Sequence, residues 1–437
     1  MGKEDTWSGT LAFILASIGS AVGLGNFWRF PYVVGQNDGG TFIIAYLVCV
    51  LLVGIPIMLI EITIGKKFRA SLAGTFSKAR SRYPWLALIP IAVMFAIMSF
   101  YIVVSGWTLN YFVDSLTGST MLFPEYSETY KGALFYIITL AVTALVVMQG
   151  VKRGIENMSK LLVPLLFLIA VVLALFSITL PNAQLGLDFY FELNPAKLLE
   201  PGIWLMAIAQ AVFSLSAGYG LMLTYASYIS SKESLVKDSL IIASADVMIA
   251  LLAGLFIFPA VFSFGYDPAA GATLAFTILP EIFSVMPFGG IVGALFFLLL
   301  FIAALTSCIA FIEFLTSNAS HYFRLERKWA VIAVAATIGI AAIPSALSYT
   351  PTKLILLGKP FLDAIDFYFV SLATPLSILA ICVLLWSVKA DDFVRELGGG
   401  PKWLWRKLYL WCKYIIPIAG LLLFAFSLYN VVMNGGI

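Results

Sequence analysis

The sequence predicts an all-α polytopic membrane protein with eleven transmembrane helices, built as a 5+5 inverted repeat in which helices 1 and 6 are discontinuous. Three observations lead to this fold class. Apolar runs long enough to cross a bilayer recur along the chain, basic residues crowd alternate loops, and two runs in corresponding places are interrupted by glycine.

The apolar runs come first. Of 437 residues, 61% are hydrophobic and 11% charged, with a mean hydropathy of +1.00. A soluble domain carries about 25% charged residues, so the chain is not a soluble globule. Runs of about 17 or more apolar residues suit a membrane helix. They centre on Ala16, Leu52, Met98, Leu140, Ala170, Ser216, Leu252, Phe301, Ala336, Pro375 and Leu421. The first run is too long for a cleaved signal peptide and carries Arg29.

Orientation follows from Lys and Arg. With the amino terminus cytoplasmic, 21 of the 26 basic residues fall in inner segments, from Lys3 and the group Lys66, Lys67 and Arg69 to Lys413. Only Lys131, Lys197, Lys353 and Lys359 fall outside, and Arg29 lies within a helix. Eleven spans then put the carboxyl terminus outside. The location implied is the plasma (inner) membrane, with no nucleic-acid partner behind the net charge of +3. The four cysteines, Cys49, Cys308, Cys382 and Cys412, show no CxxC spacing, and the single histidine, His321, cannot build a metal cluster or a histidine-based active site. With no nucleophile–base pair either, the chain reads as not an enzyme.

The breaks come last. Spans 1–5 occupy residues 8–182, spans 6–10 occupy 200–388, and 389–437 hold a polar cytoplasmic segment and span 11, all within one domain, 1–437. Five spans per half require the second half to be inverted. Span 1 contains Gly19-Ser-Ala-Val-Gly-Leu-Gly-Asn26, and span 6 contains Ser214-Leu-Ser-Ala-Gly-Tyr-Gly220. Gly19 and Gly23, four apart, also fit close helix packing. Paired interruptions in matching halves, however, mark a transporter site at the repeat interface. The loop Asp267–Gly290, with Pro268, Pro280 and Pro287, is expected to fold as a helical hairpin over the outer face.

Unwinding a helix at membrane depth is tolerated only where something polar satisfies the freed backbone. Freed N–H groups and helix N-termini attract a carboxylate, whereas freed carbonyls and helix C-termini attract cations. Asn26, Ser214, Ser216, Thr306 and Ser307 add the oxygen ligands that hard cations prefer. Two broken helices can therefore hold an amino-acid zwitterion together with sodium. For Thr306 and Ser307 the alternative is a hydrogen bond to their own i−4 carbonyls, and for Tyr101 it is ordinary packing. Asp246 lies about eight residues into span 7, where an intramembrane carboxylate costs about 2.5–3.5 kcal/mol. Glu61 and Glu313 are two more intramembrane acids and are candidates for bonding freed backbone.

Gly19-Ser-Ala-Val-Gly-Leu-Gly-Asn-Phe-Trp-Arg-Phe-Pro-Tyr32 followed by Asn37-Asp-Gly-Gly resembles the signature of the neurotransmitter:sodium symporter family, as in a bacterial amino-acid transporter of the LeuT-type fold. The resemblance extends through Gly106-Trp-Thr-Leu109, Gln210-Ala-Val-Phe-Ser-Leu-Ser216, Thr224-Tyr-Ala-Ser-Tyr228, Ala303-Ala-Leu-Thr-Ser307 and Phe361-Leu-Asp-Ala-Ile-Asp366. It implies a sodium-coupled secondary active symporter that imports neutral hydrophobic or aromatic L-amino acids by alternating access. A substrate-gated channel or an amino-acid sensor on the same scaffold is the alternative, and a homodimer stays open.

Carried over by resemblance, sodium site one comprises Ala21, Asn26, Ser214 and Asp246. Site two comprises Gly19, Val22, Ala303, Thr306 and Ser307. The substrate carboxylate meets the amides around Leu24 and Gly25 and the Tyr101 hydroxyl, and its ammonium meets carbonyls of Ala21, Phe213, Ser214 and Ser216. Gly23 stands where monoamine-transporting members have Asp and so leaves room for a carboxylate. Ile97, Phe213, Ala217, Gly218, Tyr219, Ser307 and Phe311 complete the pocket. The resemblance makes Arg29 and Asp366 an outer salt-bridge gate above a lid of Tyr101 and Phe213, and Gly154 and Pro164 an inner segment able to unwind. Chloride-dependent members place a serine where this chain has Ala250, and many have Asn at Asp246, so no chloride requirement is expected. Glu4 and His321 replace the family's inner Arg–Asp pair, which leaves Lys3 as a substitute.

Overall fold

The computed structural model describes residues 6–79, 82–118, 122–229, 234–267, 274–398 and 400–434. Among the described residues, nine helices are long and apolar enough to span a membrane. In order they are Gly40–Phe68, Pro84–Thr117, Lys131–Met148, Val151–Ser177, Leu235–Ser263, Gly289–Phe323, Arg327–Ala346, Phe361–Trp386 and Lys402–Met433. These match the expected spans 2–5 and 7–11. The other two expected spans are the interrupted ones, and neither is a continuous rod: counting the bent pair of span 1 gives up to ten spans by length and composition among the described residues, and the expected span 6 is present only as shorter helices.

Span 1 consists of Thr10–Ala21 and Gly25–Gln36, bent by 48° at the intervening residues. Span 6 consists of Pro201–Ser214 and Leu221–Ala226, separated by six non-helical residues. Ser216, Gly218 and Gly220 in that gap have φ of +48°, +90° and +85°. This left-handed region favours glycine and costs an ordinary residue about 1–2 kcal/mol. A Cβ on Gly218 would also lie 2.6 Å from Ile378 Cγ1, so the turn needs glycine twice over.

Burial separates the bundle's centre from its edge. In Gly289–Phe323, 83% of the most apolar window is inside the protein, against 28% in Lys402–Met433. The central helices carry the site, and their lipid-free faces are where polar residues can be tolerated. The helix Ala183–Phe191 lies against Leu235–Ser263, with Tyr190 stacked on Phe258 at 5.2 Å. A two-residue antiparallel hairpin, Ile355–Leu356 with Lys359–Pro360, is a small exception to the all-α expectation. The loop expected to form a helical hairpin instead holds one helical segment, Ala275–Val285, among its described residues; Pro268 lies outside them.

Span 5 opens with a π-helical turn, Val151–Glu156, that contains Gly154, and Pro164 sits inside the helix that follows. Pro164 removes a backbone donor about two turns into that helix. Near the amino end of span 1, Trp7 donates its Nε1–H to the Tyr225 carbonyl at 2.8 Å and its N–H to that of Tyr228 at 3.2 Å. Next to it, the Ser8 N–H and hydroxyl both donate to the buried Glu156 carboxylate, which also pairs with Lys160 at 2.6 Å. Glu4 and Lys3 lie outside the described residues. The His321 imidazole packs against Gly74, where a Cβ would lie 3.3 Å from Nδ1.

Candidate functional site

The two interrupted spans face each other across the bundle, and four contacts define how. Ser216 donates its hydroxyl to the Ser20 carbonyl at 2.9 Å. Asn26 Nδ2 donates to Ser214 Oγ at 3.1 Å and to Asp246 Oδ1 at 2.8 Å. Ser214 in turn donates to Asp246 Oδ2 at 2.7 Å. Residues from spans 1, 6 and 7 thus meet at one buried carboxylate.

Asp246 has no exposed surface. Its other neighbours are the Tyr46 hydroxyl at 3.4 Å and a second contact from Asn26 Nδ2 to its own carbonyl at 3.2 Å. Among the described residues no lysine or arginine comes within 4 Å of it. A buried carboxylate surrounded only by neutral donors is costly. The half-helix Pro201–Ser214 ends on it, at the cavity where Thr10–Ala21 also ends, and helix C-termini carry negative partial charge that favours a cation.

Also against span 1, Ser307 donates to the Ala303 carbonyl at 3.1 Å, the i−4 bond. The same hydroxyl lies 3.4 Å from the Val22 carbonyl and 3.5 Å from that of Ser20, across the break. Thr306 bonds the carbonyls of Ile302 at 3.0 Å and Ala303 at 3.1 Å. A Cβ on Gly19 would lie 3.1 Å from Thr306 Cβ, so all five residues expected at the second cation position converge. Each hydroxyl spends its proton on a carbonyl and keeps its lone pairs.

The freed amides of span 6 have an internal partner. Glu61 Oε1 accepts from the N–H groups of Gly218 at 2.7 Å and Gly220 at 2.9 Å. Oε2 accepts from Met222 at 3.0 Å and Leu223 at 3.3 Å. The Gly218 carbonyl accepts from the Ser377 hydroxyl at 2.6 Å. Of the two candidate backbone acids, Glu61 serves the break, whereas Glu313 pairs with Arg327 and the Tyr228 hydroxyl. The amino end of the second half of span 6 is therefore occupied by a protein carboxylate. On span 1, the Leu24 N–H donates to the Tyr101 hydroxyl at 3.0 Å.

Between the breaks lies a cavity lined by Ala21, Gly23, Gly25, Met94, Ile97, Tyr101, Phe213, Ser214, Ser216, Tyr219, Leu221, Ser307 and Phe311. Three residues expected in the pocket, Leu24, Ala217 and Gly218, do not line it. Leu24 offers its amide to Tyr101, and Gly218 is turned to Glu61 and Ser377. Met94 and Leu221 were not expected. Met94 is three residues before Ile97 and seven before Tyr101, which the helical period puts on one face, so the signal was there. A Cβ on Gly23 would lie 2.8 Å from both Ser307 Oγ and Tyr101 OH, so only glycine keeps this part of the cavity open.

The expected salt bridge between Arg29 and Asp366 is not formed in this conformation. Arg29 donates to Gln210 Oε1 at 3.0 Å and lies over the Phe213 ring at 5.1 Å, and Asp366 is exposed. Gln210 also donates to the Gly25 carbonyl at 3.4 Å. Arg29 thus finds its hydrogen bond and its aromatic face on span 6 and is held over the cavity without a carboxylate. The buried Gln210 and Tyr46 contact the site without a role assigned to them from sequence, although Gln210 opens one of the motifs that carry the resemblance.

The profile of the sodium:neurotransmitter symporter family matches residues 4–123 and 126–435. The chain is 33% identical to an uncharacterized sodium-dependent transporter of Bacillus subtilis, over 97% of each chain. It is 31% identical to another from Methanocaldococcus jannaschii, over 95% of this chain and 88% of that one. Among solved structures it is similar to the crystal structure of MhsT in complex with L-phenylalanine. The TM-score is 0.88 and the identity 37%, over 97% of this chain and 99% of that chain. Broken helices meeting at an uncompensated carboxylate, and a profile that runs nearly end to end, lead to one assignment: the chain belongs to the sodium:neurotransmitter symporter family.

Proposed function

We propose that this chain imports a neutral hydrophobic or aromatic L-amino acid by alternating access, coupled to two sodium ions and without a chloride requirement. The observation that carries the reading is Asp246, a fully buried carboxylate with neutral hydrogen-bond donors only, placed where two half-helices end. Its fixed charge supplies what chloride would otherwise bring, and Ala250 one turn on offers no anion ligand.

In this proposal the first sodium is held by the Ala21 carbonyl, Asn26, Ser214 and Asp246. Asn26 turns its nitrogen to Asp246 and its oxygen to the Gly23 N–H at 3.0 Å, so it ligates after its amide turns over. The second sodium takes the Gly19, Val22 and Ala303 carbonyls with the Thr306 and Ser307 lone pairs. The substrate carboxylate goes to the Leu24–Gly25 amides and Tyr101, replacing the Leu24–Tyr101 bond, because Glu61 has taken the helix start of span 6. Its side chain points toward Ile97, Phe213, Tyr219 and Phe311. That MhsT was crystallised with L-phenylalanine supports an aromatic substrate.

Two sodium ions entering down a 100 mV potential release about 4.6 kcal/mol, over 10³-fold accumulation at ideal coupling. The two halves, 8–182 and 200–388, rock about the site, with the amino terminus cytoplasmic and the carboxyl terminus outside, as the basic residues direct.

The test is uptake of labelled L-phenylalanine, L-leucine and L-tryptophan into proteoliposomes. Accumulation should require an inward sodium gradient and persist when gluconate replaces chloride. Current without substrate would mark a channel instead, and binding without accumulation a sensor.

A further inference from the structure

We propose that Thr374, which does not line the cavity, sets the size of side chain the site admits by holding the Tyr219 ring in place as a wall. This rests on the amino-acid reading above and deepens it. Tyr219 lines the cavity and is 3% exposed. Its backbone is fixed on both sides. The N–H groups of Gly218 and Gly220 are held by Glu61, and the Gly218 carbonyl by Ser377.

With the backbone fixed, what remains free at this wall is rotation of the ring about its own side-chain bonds. Besides the packing of a buried ring, that rotation has one polar restraint: the Tyr219 hydroxyl donates to Thr374 Oγ1 at 3.3 Å. Thr374 and Ser377 stand three apart on Phe361–Trp386, so one face of this helix holds both the turn and the ring. The facing wall is built differently. Phe311 sits edge-on to Tyr101 at 5.2 Å and is held by packing, with no polar tether to lose.

The tether is long for an O–H···O bond and joins two neutral groups, so its effect on ring position is that of one modest hydrogen bond. Removing it lets the ring tilt and favours larger side chains by about 2- to 10-fold. Loss of a wall's restraint moves the relative affinity of large and small substrates, whereas general damage to the fold moves both alike.

The experiment compares KM for L-tryptophan and L-leucine in proteoliposomes made from the full chain and its variants. Thr374→Val and Tyr219→Phe should each lower the tryptophan-to-leucine KM ratio by that factor. Combining them should lower it no further, since both remove the same bond. Thr374→Ser should keep the wild-type ratio. An unmoved ratio in Tyr219→Phe, or additive effects in the double variant, overturns the inference. Should Thr374→Val fail to fold, Tyr219→Phe and Thr374→Ser still decide. Wild-type protein that takes up leucine and tryptophan while the variants leave the ratio unchanged defeats this inference alone. Wild-type protein that binds neither defeats the amino-acid reading with it.

Discussion

Replacing Asp246 with Asn removes one charge and almost no volume, and the structure bounds the effect. Ser214 Oγ is 2.7 Å from Asp246 Oδ2. A cation held by that hydroxyl, at an oxygen–cation distance of about 2.4 Å, lies no more than about 5 Å from the carboxylate oxygen. At an effective dielectric of about 20 the attraction is then roughly 3 kcal/mol, on the order of 10² in sodium affinity. The Asn26 and Ser214 contacts survive as neutral hydrogen bonds, so the fold should hold. The assay is sodium-titrated uptake of labelled L-phenylalanine into proteoliposomes, in chloride and in gluconate. Asp246→Asn should shift the half-saturating sodium concentration up by about 10²-fold in both media, because Ala250 gives chloride no ligand. Adding Ala250→Ser should restore uptake in chloride only. An unchanged sodium dependence in Asp246→Asn would refute the charge role outright.

Three further outcomes are expected. Glu61→Gln leaves the N–H groups on one side of the carboxylate facing an amide nitrogen; two buried orphans cost about 2–6 kcal/mol, so the variant should melt earlier by tryptophan fluorescence, and an unaltered melt counts against the clamp. Gly23→Ala puts a methyl 2.8 Å from Ser307 Oγ and Tyr101 OH, an overpacking of about 1–3 kcal/mol; KM for L-phenylalanine should rise about tenfold, and a wild-type KM would show that the substrate lies elsewhere. Glu156→Gln weakens the hold on Ser8 by about 1.5–3 kcal/mol, the worth of a bond to a charged group; hydrogen exchange along 10–21 should quicken, and unchanged exchange would mean that Trp7 holds the segment alone.

The membrane fold was legible because aliphatic runs state their own length and because glycine mixed with serine and asparagine has no business in a rod that lipid surrounds. The two breaks could be located for that reason. Their internal wiring could not. Glu61 was visible as a buried acid, but that it caps span 6 depends on span 2 lying beside it, a long-range fact that periodicity does not carry. Ser377 and Thr374 looked like any hydroxyls in a membrane helix, which usually bond their own preceding turn. Arg29 was readable as a gate charge, yet its partner here is Gln210, chosen by a geometry that depends on the conformation the bundle is in. Met94 shares a helix face with Ile97 and Tyr101 by its spacing, and an unbranched thioether in an apolar run carries no other mark of a site.

Glu61 does more than satisfy a turn. It grips Met222 and Leu223 on the half-helix beyond the break, and a methyl on Gly65 would lie 2.1 Å from the Leu223 carbonyl, so the two backbones nearly touch there. Spans 2 and 6 are welded at this joint and must travel as one piece. In the alternating access proposed above, the hinge then has to fall elsewhere. The seam where Ser307 meets span 1 is joined by long hydroxyl–carbonyl contacts that are easily traded.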